Sequence, residues 1–323
     1  MAGAGGARRF GGEPGRSPAV TGSARGGGRT VREGGGEREP APGGSPAAES
    51  AVSRHDRMVR AEMMQAERVR STAGVPADFW ETLARQFRAP TDPVADPTPD
   101  ALAALIGPDD RAIDVGAGGG RIAIPLSRHC REIVAVEPSP AMRAVLEEEI
   151  SRHGVGNIRI VAARWEEAVV APAPLAFAAH VTYGIQAIEP FVRKLDRAAT
   201  RHAALVVMTD PPQTPLAPLW RFVHGEDRLR LPCRDEVVAV LRELGAEPVV
   251  TPLGPAPILP FGARAEAIDL LRFRLVVGPG TPGDVRLHRA LDLFAEERDG
   301  NLWPKDARPN ARSLVRWAPI HRR

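Results

Sequence analysis

The stretch Ala112-Ile113-Asp114-Val115-Gly116-Ala117-Gly118-Gly119-Gly120-Arg121 carries an apolar run through a carboxylate into a glycine-rich turn. Glycines let the backbone bend tightly and let a ligand approach the main chain without Cβ obstruction, and a helix starting after the turn would offer free N–H groups to a carboxylate or phosphate. Asp114, at the strand end, suits a positive or hydroxyl-bearing group. A second apolar run, Ile133-Val134-Ala135-Val136, ends in Glu137-Pro138-Ser139, where a carboxylate can accept from two hydroxyls at once. A third, Ala178-Ala179, leads into His180-Val181-Thr182-Tyr183; residues at the carboxyl ends of strands in an open α/β sheet face its ligand crevice. No His, Cys or carboxylate cluster has metal-ligand spacing, and neither a Gly-x-Ser-x-Gly elbow nor a phosphate-loop lysine is present.

These residues need strands to carry them. From Arg111 onward short apolar runs alternate with amphipathic helical patterns, the signature of βαβ units and a parallel sheet. The periodicity predicts strands at 112–115, 133–136, 158–161, 175–179, 203–208, 248–251 and 313–317. Helices are predicted over 121–129, 139–153, 187–199 and 235–244. Two more, 263–274 and 284–297, form an insertion before the last strand. The fold class expected is α/β, a doubly wound, mostly parallel seven-stranded sheet. Ahead of it, residues 55–70 and 77–87 read as helices, the second spacing Phe79, Trp80, Leu83 and Phe87 at three and four residues. Thr98-Pro99-Asp100 reads as the start of another, with Thr98 as N-cap.

Residues 1–53 are dominated by Gly, Ala, Arg, Pro, Ser and Glu, a composition that buries too little apolar surface to offset the entropy of ordering, so a disordered tail is expected there. The expected domain is 54–323, divided into N-terminal helices (54–107), a ligand-binding core (111–256) and an insertion with the closing strand (257–323). No apolar run approaches the roughly 20 residues of a membrane span. The two cysteines, Cys130 and Cys233, form no Cys-x-x-Cys pair, which fits a reducing cytoplasm. The formal net charge is only +3, and basic and acidic residues interleave, which argues against a nucleic-acid partner. The sequence sets no oligomeric state.

A dinucleotide-binding Gly-x-Gly-x-x-Gly would need glycine at 121, where Arg121 stands. The stretch instead resembles the first motif of class I S-adenosylmethionine-dependent methyltransferases, Asp/Glu-x-Gly-x-Gly-x-Gly, through Asp114, Gly116, Gly118 and Gly120, and the resemblance continues through Glu137. It implies S-adenosyl-L-methionine as cofactor, its amino-acid end on the turn near Asp114, Gly116, Ala117, Gly118 and Gly120, and its ribose on Glu137 beside Pro138. The family commonly carries an acid after the third strand that meets the adenine; this chain has Arg164 there, so backbone N–H groups and the ring of Trp165 are expected to hold the base, with a core position for Trp165 equally open. The family places the residues nearest the transferring methyl after the fourth strand, which makes His180 a candidate base or cofactor contact and Tyr183 a candidate substrate neighbour.

The activity implied is a methyltransferase acting by in-line displacement on a small-molecule acceptor, the alternatives being a non-catalytic S-adenosylmethionine-binding relative or a nucleic-acid methyltransferase. Asp210-Pro211-Pro212-Gln213 resembles the Asp/Asn-Pro-Pro-aromatic motif of amino-methylating nucleic-acid methyltransferases. It follows the fifth strand rather than the fourth and ends in Gln213, so it reads as a proline-rich loop. The acceptor pocket is expected from Trp80 and Phe87, the loop 180–185 and the insertion.

Overall fold

Each apolar run begins or ends within a few residues of its expected place. In the computed structural model, which describes residues 48–70, 84 and 96–322, they form β1 (Arg111–Val115), β2 (Glu132–Val136), β3 (Ile158–Val161), β4 (Ala173–Ala179), β5 (Ala199–Met208) and β6 (Val249–Pro255). A hairpin, β7 (Ala295–Arg298) and β8 (Asn301–Pro304), precedes β9 (Ala311–Trp317). The main sheet has seven strands in the order β3-β2-β1-β4-β5-β9-β6. β1 pairs in parallel with both β2 and β4, while β9 is antiparallel to β5 and β6. The chain therefore winds outward one way from β1 and then the other way from β4, and the crevice of such a sheet lies where those directions part.

Side chains alternate between the two faces. Ile113, Val115, Val134, Val136, Ala176 and Ala178 pack on one face with α5 (Ile188–Ala198), α7 (Arg234–Glu243) and the long α1 (Ala51–Arg70). Ala112, Ile133, Leu175, Phe177 and Val206 pack on the other with α2 (Pro97–Ala103) and α3 (Ala123–Leu126), and α4 (Pro140–His153) joins them along β2. Asp114 and Glu137 stand two residues beyond Ala112 and Ala135, so both share this second face at the carboxyl edge. A satellite core of Trp220, Leu270, Leu271, Leu287 and Leu291 is built from α6 (Ala217–His224), α8 (Arg264–Arg274), α9 (Pro282–Phe294) and the hairpin.

Four differences from expectation have local causes. Positions 51–53, assigned to the tail, are the first turn of α1: Ser50 Oγ accepts from the Ser53 N–H at 3.1 Å, and Glu243 of α7 accepts from the N–H groups of Ala51 and Val52. Those bonds satisfy the orphan donors of a helix start. The cap of α2 is Asp96, which accepts from the Thr98 N–H at 3.0 Å, whereas Thr98 is fully buried. The helix after the glycine turn shrinks to the four residues of α3 and a 3-10 turn, consistent with Pro125 lacking an N–H. The helix expected to reach 297 stops at Phe294, because Asp299 and Gly300 both adopt positive φ and close a tight hairpin. The remainder of the expected tail and the helix at 77–87 lie outside the described residues, Ala84 excepted. No helix among the described residues is long and apolar enough to cross a membrane.

Candidate functional site

The glycine turn folds as its composition demands: Gly116, Gly118 and Gly120 have φ of +75°, +55° and +87°, backbone that L-residues rarely enter. A Cβ at Gly116 would stand 2.6 Å from Val181 Cγ2, and one at Gly120 2.6 Å from Leu146 Cδ1, so the turn is pressed against both the segment after β4 and α4. A Cβ at Gly118 would meet only Met142 Sδ, at 3.8 Å. Ala117 packs inward with Ile124, Ala135 and Leu146.

Glu137 closes the other side. One carboxylate oxygen accepts from the Gly118 N–H and the other from the Ser139 N–H, both at 2.8 Å. Turn and strand-end acid therefore share one crevice, with the Glu137 side chain only 4% exposed. The exposed Pro138 is held by α4, since Arg143 donates to the carbonyls of Glu137 and Pro138 at 3.1 and 2.7 Å. Ser139 caps α4 by accepting from the Met142 N–H at 3.1 Å. Asp114 lies almost fully buried; burial first, and the Glu137 carboxylate second, push its carboxyl up to about 8.

His180 stands at the carboxyl end of β4 with φ +61°, its N–H donating to Val206 of β5 at 2.9 Å. Its Nδ1 lies 3.4 Å from Tyr183 Oη, and its buried Nε2 has no partner among the described residues. Burial, then the guanidiniums of Arg121 and Arg312, push it down to about 4, against the opposing pull of Asp96. The imidazole is thus neutral at physiological pH. Tyr183 is tied to β5, its oxygen accepting from the Met208 N–H at 2.7 Å, and burial raises its phenol above the ordinary range.

Two residues expected around the adenine are not brought to the crevice. Trp165 is buried on the opposite face under α5, where its Nε1 donates to the Phe191 carbonyl at 3.4 Å and Lys194 Nζ lies 4.8 Å from the ring centre. Arg164 has 72% of its side chain exposed and reaches toward Glu166 at 3.9 Å. Conversely, sequence reading missed an ion cluster beside His180. Asp96 pairs with Arg312 of β9 at 2.9 Å and with Arg121 of the glycine turn at 3.3 Å, and the Arg312 side chain is only 3% exposed. Arg121 stood out only as the break in a dinucleotide pattern; Arg312, two hundred residues from Asp96, gave no local signal.

A doubly wound sheet with this strand order, a glycine turn after β1 and a carboxylate ending β2 resembles the class I S-adenosylmethionine-dependent methyltransferases. Residues 112–205 match the family model of a methyltransferase domain. Among curated proteins, 53 residues are 43% identical to the 23S rRNA (uracil(1939)-C(5))-methyltransferase RlmD of Aeromonas hydrophila, 16% of this chain and 12% of that protein. Another 32% identity over 56 residues links it to the ribosomal RNA small subunit methyltransferase A of Desulforapulum autotrophicum, 17% of this chain and 20% of that one. The match thus spans a fifth or less of these relatives' length. The solved structure of the YcgJ protein of Bacillus subtilis aligns with 68% of this chain and 97% of its own at 15% identity, with a TM-score of 0.47. The expectation of a small-molecule acceptor, with a nucleic-acid partner disfavoured, is corrected by these relatives, which are named for ribosomal RNA. Interleaved charge and a small net charge were weak grounds for that preference, because a local basic surface can bind nucleic acid at any overall charge.

Proposed function

We propose that the chain is a methyltransferase that takes its methyl group from S-adenosyl-L-methionine and delivers it to RNA. The observation that carries the cofactor reading is the 2.8 Å bond between the Gly118 N–H and the Glu137 carboxylate, which joins the turn and the strand-end acid in one crevice. The residues fit the group. Glu137 is the acceptor for the ribose hydroxyls, Asp114 faces the position of the ammonium, and Gly116, Gly118 and Gly120 leave the main chain open to the methionine end. When bound, the cofactor supplies a methyl group already activated by its sulfonium. The chain's own part is then to position the acceptor and exclude water. His180, neutral and with an unpartnered Nε2, is the group available to take a proton from an acceptor that must lose one.

RNA is the acceptor class that the curated relatives favour. The thiols favour a nitrogen or oxygen acceptor, since methylating a uracil carbon calls for a prior nucleophilic addition to the ring. Cys130 and Cys233 are both buried and unpaired, with burial pushing them up to about 11 and about 12. Free cysteines also support a reducing, cytoplasmic location.

The test is a calorimetric titration with S-adenosylmethionine and S-adenosylhomocysteine. Glu137→Ala should weaken binding by about 1–3 kcal/mol through loss of charge-assisted bonds; unchanged affinity removes Glu137 from the site. Incubation with radiolabelled S-adenosylmethionine and separate RNA and metabolite fractions then reads the acceptor. Label confined to metabolites overturns the RNA reading.

A further inference from the structure

Beyond the carboxyl end of β5 the surface opens into a cavity of about 240 Å³, walled by Asp210, Pro211, Gln213, Arg228, Leu229 and Arg230 among others. It lies at the carboxyl edge of the sheet, the edge to which the crevice opens. Tyr183 is bonded to the Met208 N–H, and Asp210 follows two residues later, within roughly 7 Å along the chain. The walls are held rigidly. Asn310 accepts from the Asp210 N–H at 3.1 Å and donates to the Asp210 carbonyl at 2.7 Å. Arg228 is committed to Glu62 at 2.7 Å and stacks 4.6 Å from the Trp220 ring centre, so it serves as wall rather than ligand group.

Gln213 stands apart from this order. It is 8% exposed, yet its side-chain amide makes no hydrogen bond among the described residues, and its Nε2 is buried without a partner. Native chains pair nearly all buried amides with protein or with a bound group. Beside it, Asp210 presents an exposed carboxylate, which is an acceptor only, while the Gln213 amide can both donate and accept. Pro211 and Leu229 supply apolar walls. Arg230, at the rim, is half exposed and makes a 3.2 Å ion pair with Glu236. A volume below the roughly 300–1,000 Å³ of pockets for drug-sized ligands fits one planar ring rather than a whole nucleoside.

We propose that this cavity receives one nucleobase of the RNA acceptor, its hydrogen-bonding edge read by the Gln213 amide and the Asp210 carboxylate, its ring against Pro211 and Leu229, and its phosphate toward Arg230. The proposal rests on the RNA-methylation reading above and names the site that would select the base. Asp210-Pro211-Pro212-Gln213 then acts as a base-reading loop in a position, after β5, where the sequence reads as a proline-rich loop.

The test uses the full chain, with and without S-adenosylhomocysteine, titrated with UMP, CMP, AMP, GMP and ribose 5-phosphate and followed by ligand-observed NMR. At least one nucleotide should bind tenfold or more tightly than ribose 5-phosphate. Gln213→Leu should weaken that nucleotide at least tenfold while leaving S-adenosylhomocysteine affinity unchanged. Asp210→Asn, an exposed substitution that leaves the core intact, should change which of the four nucleotides binds best, because it converts a pure acceptor into a donor and acceptor. Nucleotides no tighter than ribose 5-phosphate, or equal binding by wild type and both variants, overturn the proposal. Loss of S-adenosylhomocysteine binding in the wild type instead removes the cofactor reading, and the nucleotide arms without that ligand still decide the pocket.

Discussion

With the cofactor placed as proposed, Asp114 makes its binding a proton-linked event whose size follows from the burial of that carboxyl. With its carboxyl pushed up to about 8, roughly nine in ten molecules carry it protonated at pH 7. A ligand ammonium set against it favours the ionised form, so binding at pH 7 should release about 0.9 proton per site and be opposed by about 1.4 kcal/mol of ionisation, rising to about 2.7 kcal/mol at pH 6. Affinity for S-adenosylhomocysteine should therefore climb about tenfold from pH 6 to 7 and level off near 8, above which the ligand's own amine deprotonates. Stability of the free protein carries the opposite sign. A carboxyl whose folded pKa lies above its unfolded value of 3.8 leaves the folded state needing a proton that the unfolded chain has shed, so stability declines from pH 3.8 up to about 8. Calorimetry in two buffers of different ionisation heat reads the proton directly. Asp114→Asn should abolish the release, flatten the pH dependence, and raise the Tm at pH 8 but not at pH 4. A wild type that releases no proton at pH 7, or an Asn variant that still does, refutes the reasoning.

Two further expectations test the scaffold. Gly116→Ala and Gly120→Ala each place a Cβ 2.6 Å from a packed Val181 or Leu146 methyl at a positive φ, and each should cost about 1–3 kcal/mol, a Tm loss of roughly 3–10 °C by thermal melting; an unchanged Tm would mean that the turn is not pressed against its neighbours. Asp196 of α5 ties down the C-terminal segment, accepting from Trp317 Nε1 and the Ile320 N–H at 2.9 Å and facing His321 Nδ1 at 3.0 Å. Burial alone would raise its pKa, but these donors outweigh it and hold the carboxyl below its ordinary 3.8. Its contribution is therefore present above pH 3.8 and lost as pH falls through the folded value. Asp196→Ala, which leaves the buried Trp317 donor unpaired, should destabilise by about 2–4 kcal/mol at pH 7 in urea titrations and by much less at pH 3.

What could be read from the chain was whatever local chemistry decides. α4 is the clearest case: Ser139 caps it, Pro140 occupies its first turn and Gly154 ends it in left-handed backbone at φ +62°, and all three are sequence signals. Thr98-Pro99 reads as the start of α2, but Asp96-Pro97, two residues earlier, carries the same cap-and-proline pattern, and it is Asp96 that caps the helix while Thr98 is buried. The Asp299-Gly300 pair is a strong hairpin signal in itself, but the helical period of α9 ran up to it and masked the change. Trp165 could have lined the crevice or the core. An aromatic in the turn after a strand is compatible with either face, and packing under α5 decided it. The ion cluster was beyond local reading altogether, since Asp96, Arg121 and Arg312 meet only because β9 is laid beside β5.

That cluster also changes what His180 can do. The crevice is divided: carboxylates at the ends of β1 and β2, and two guanidiniums against one carboxylate around the end of β4. Burial first disfavours an imidazolium at His180, and Arg121 and Arg312, with only Asp96 to offset them, add to that, so its pKa falls to about 4. In the proposed role of base, an imidazole so placed is neutral at physiological pH and passes on a captured proton readily rather than retaining it. On the proposed reading, the acid limb of the cofactor-binding profile between pH 5 and 8 then belongs to Asp114 rather than to His180, and the charge beside His180 is set by two arginines that no reading of β4 alone would have found.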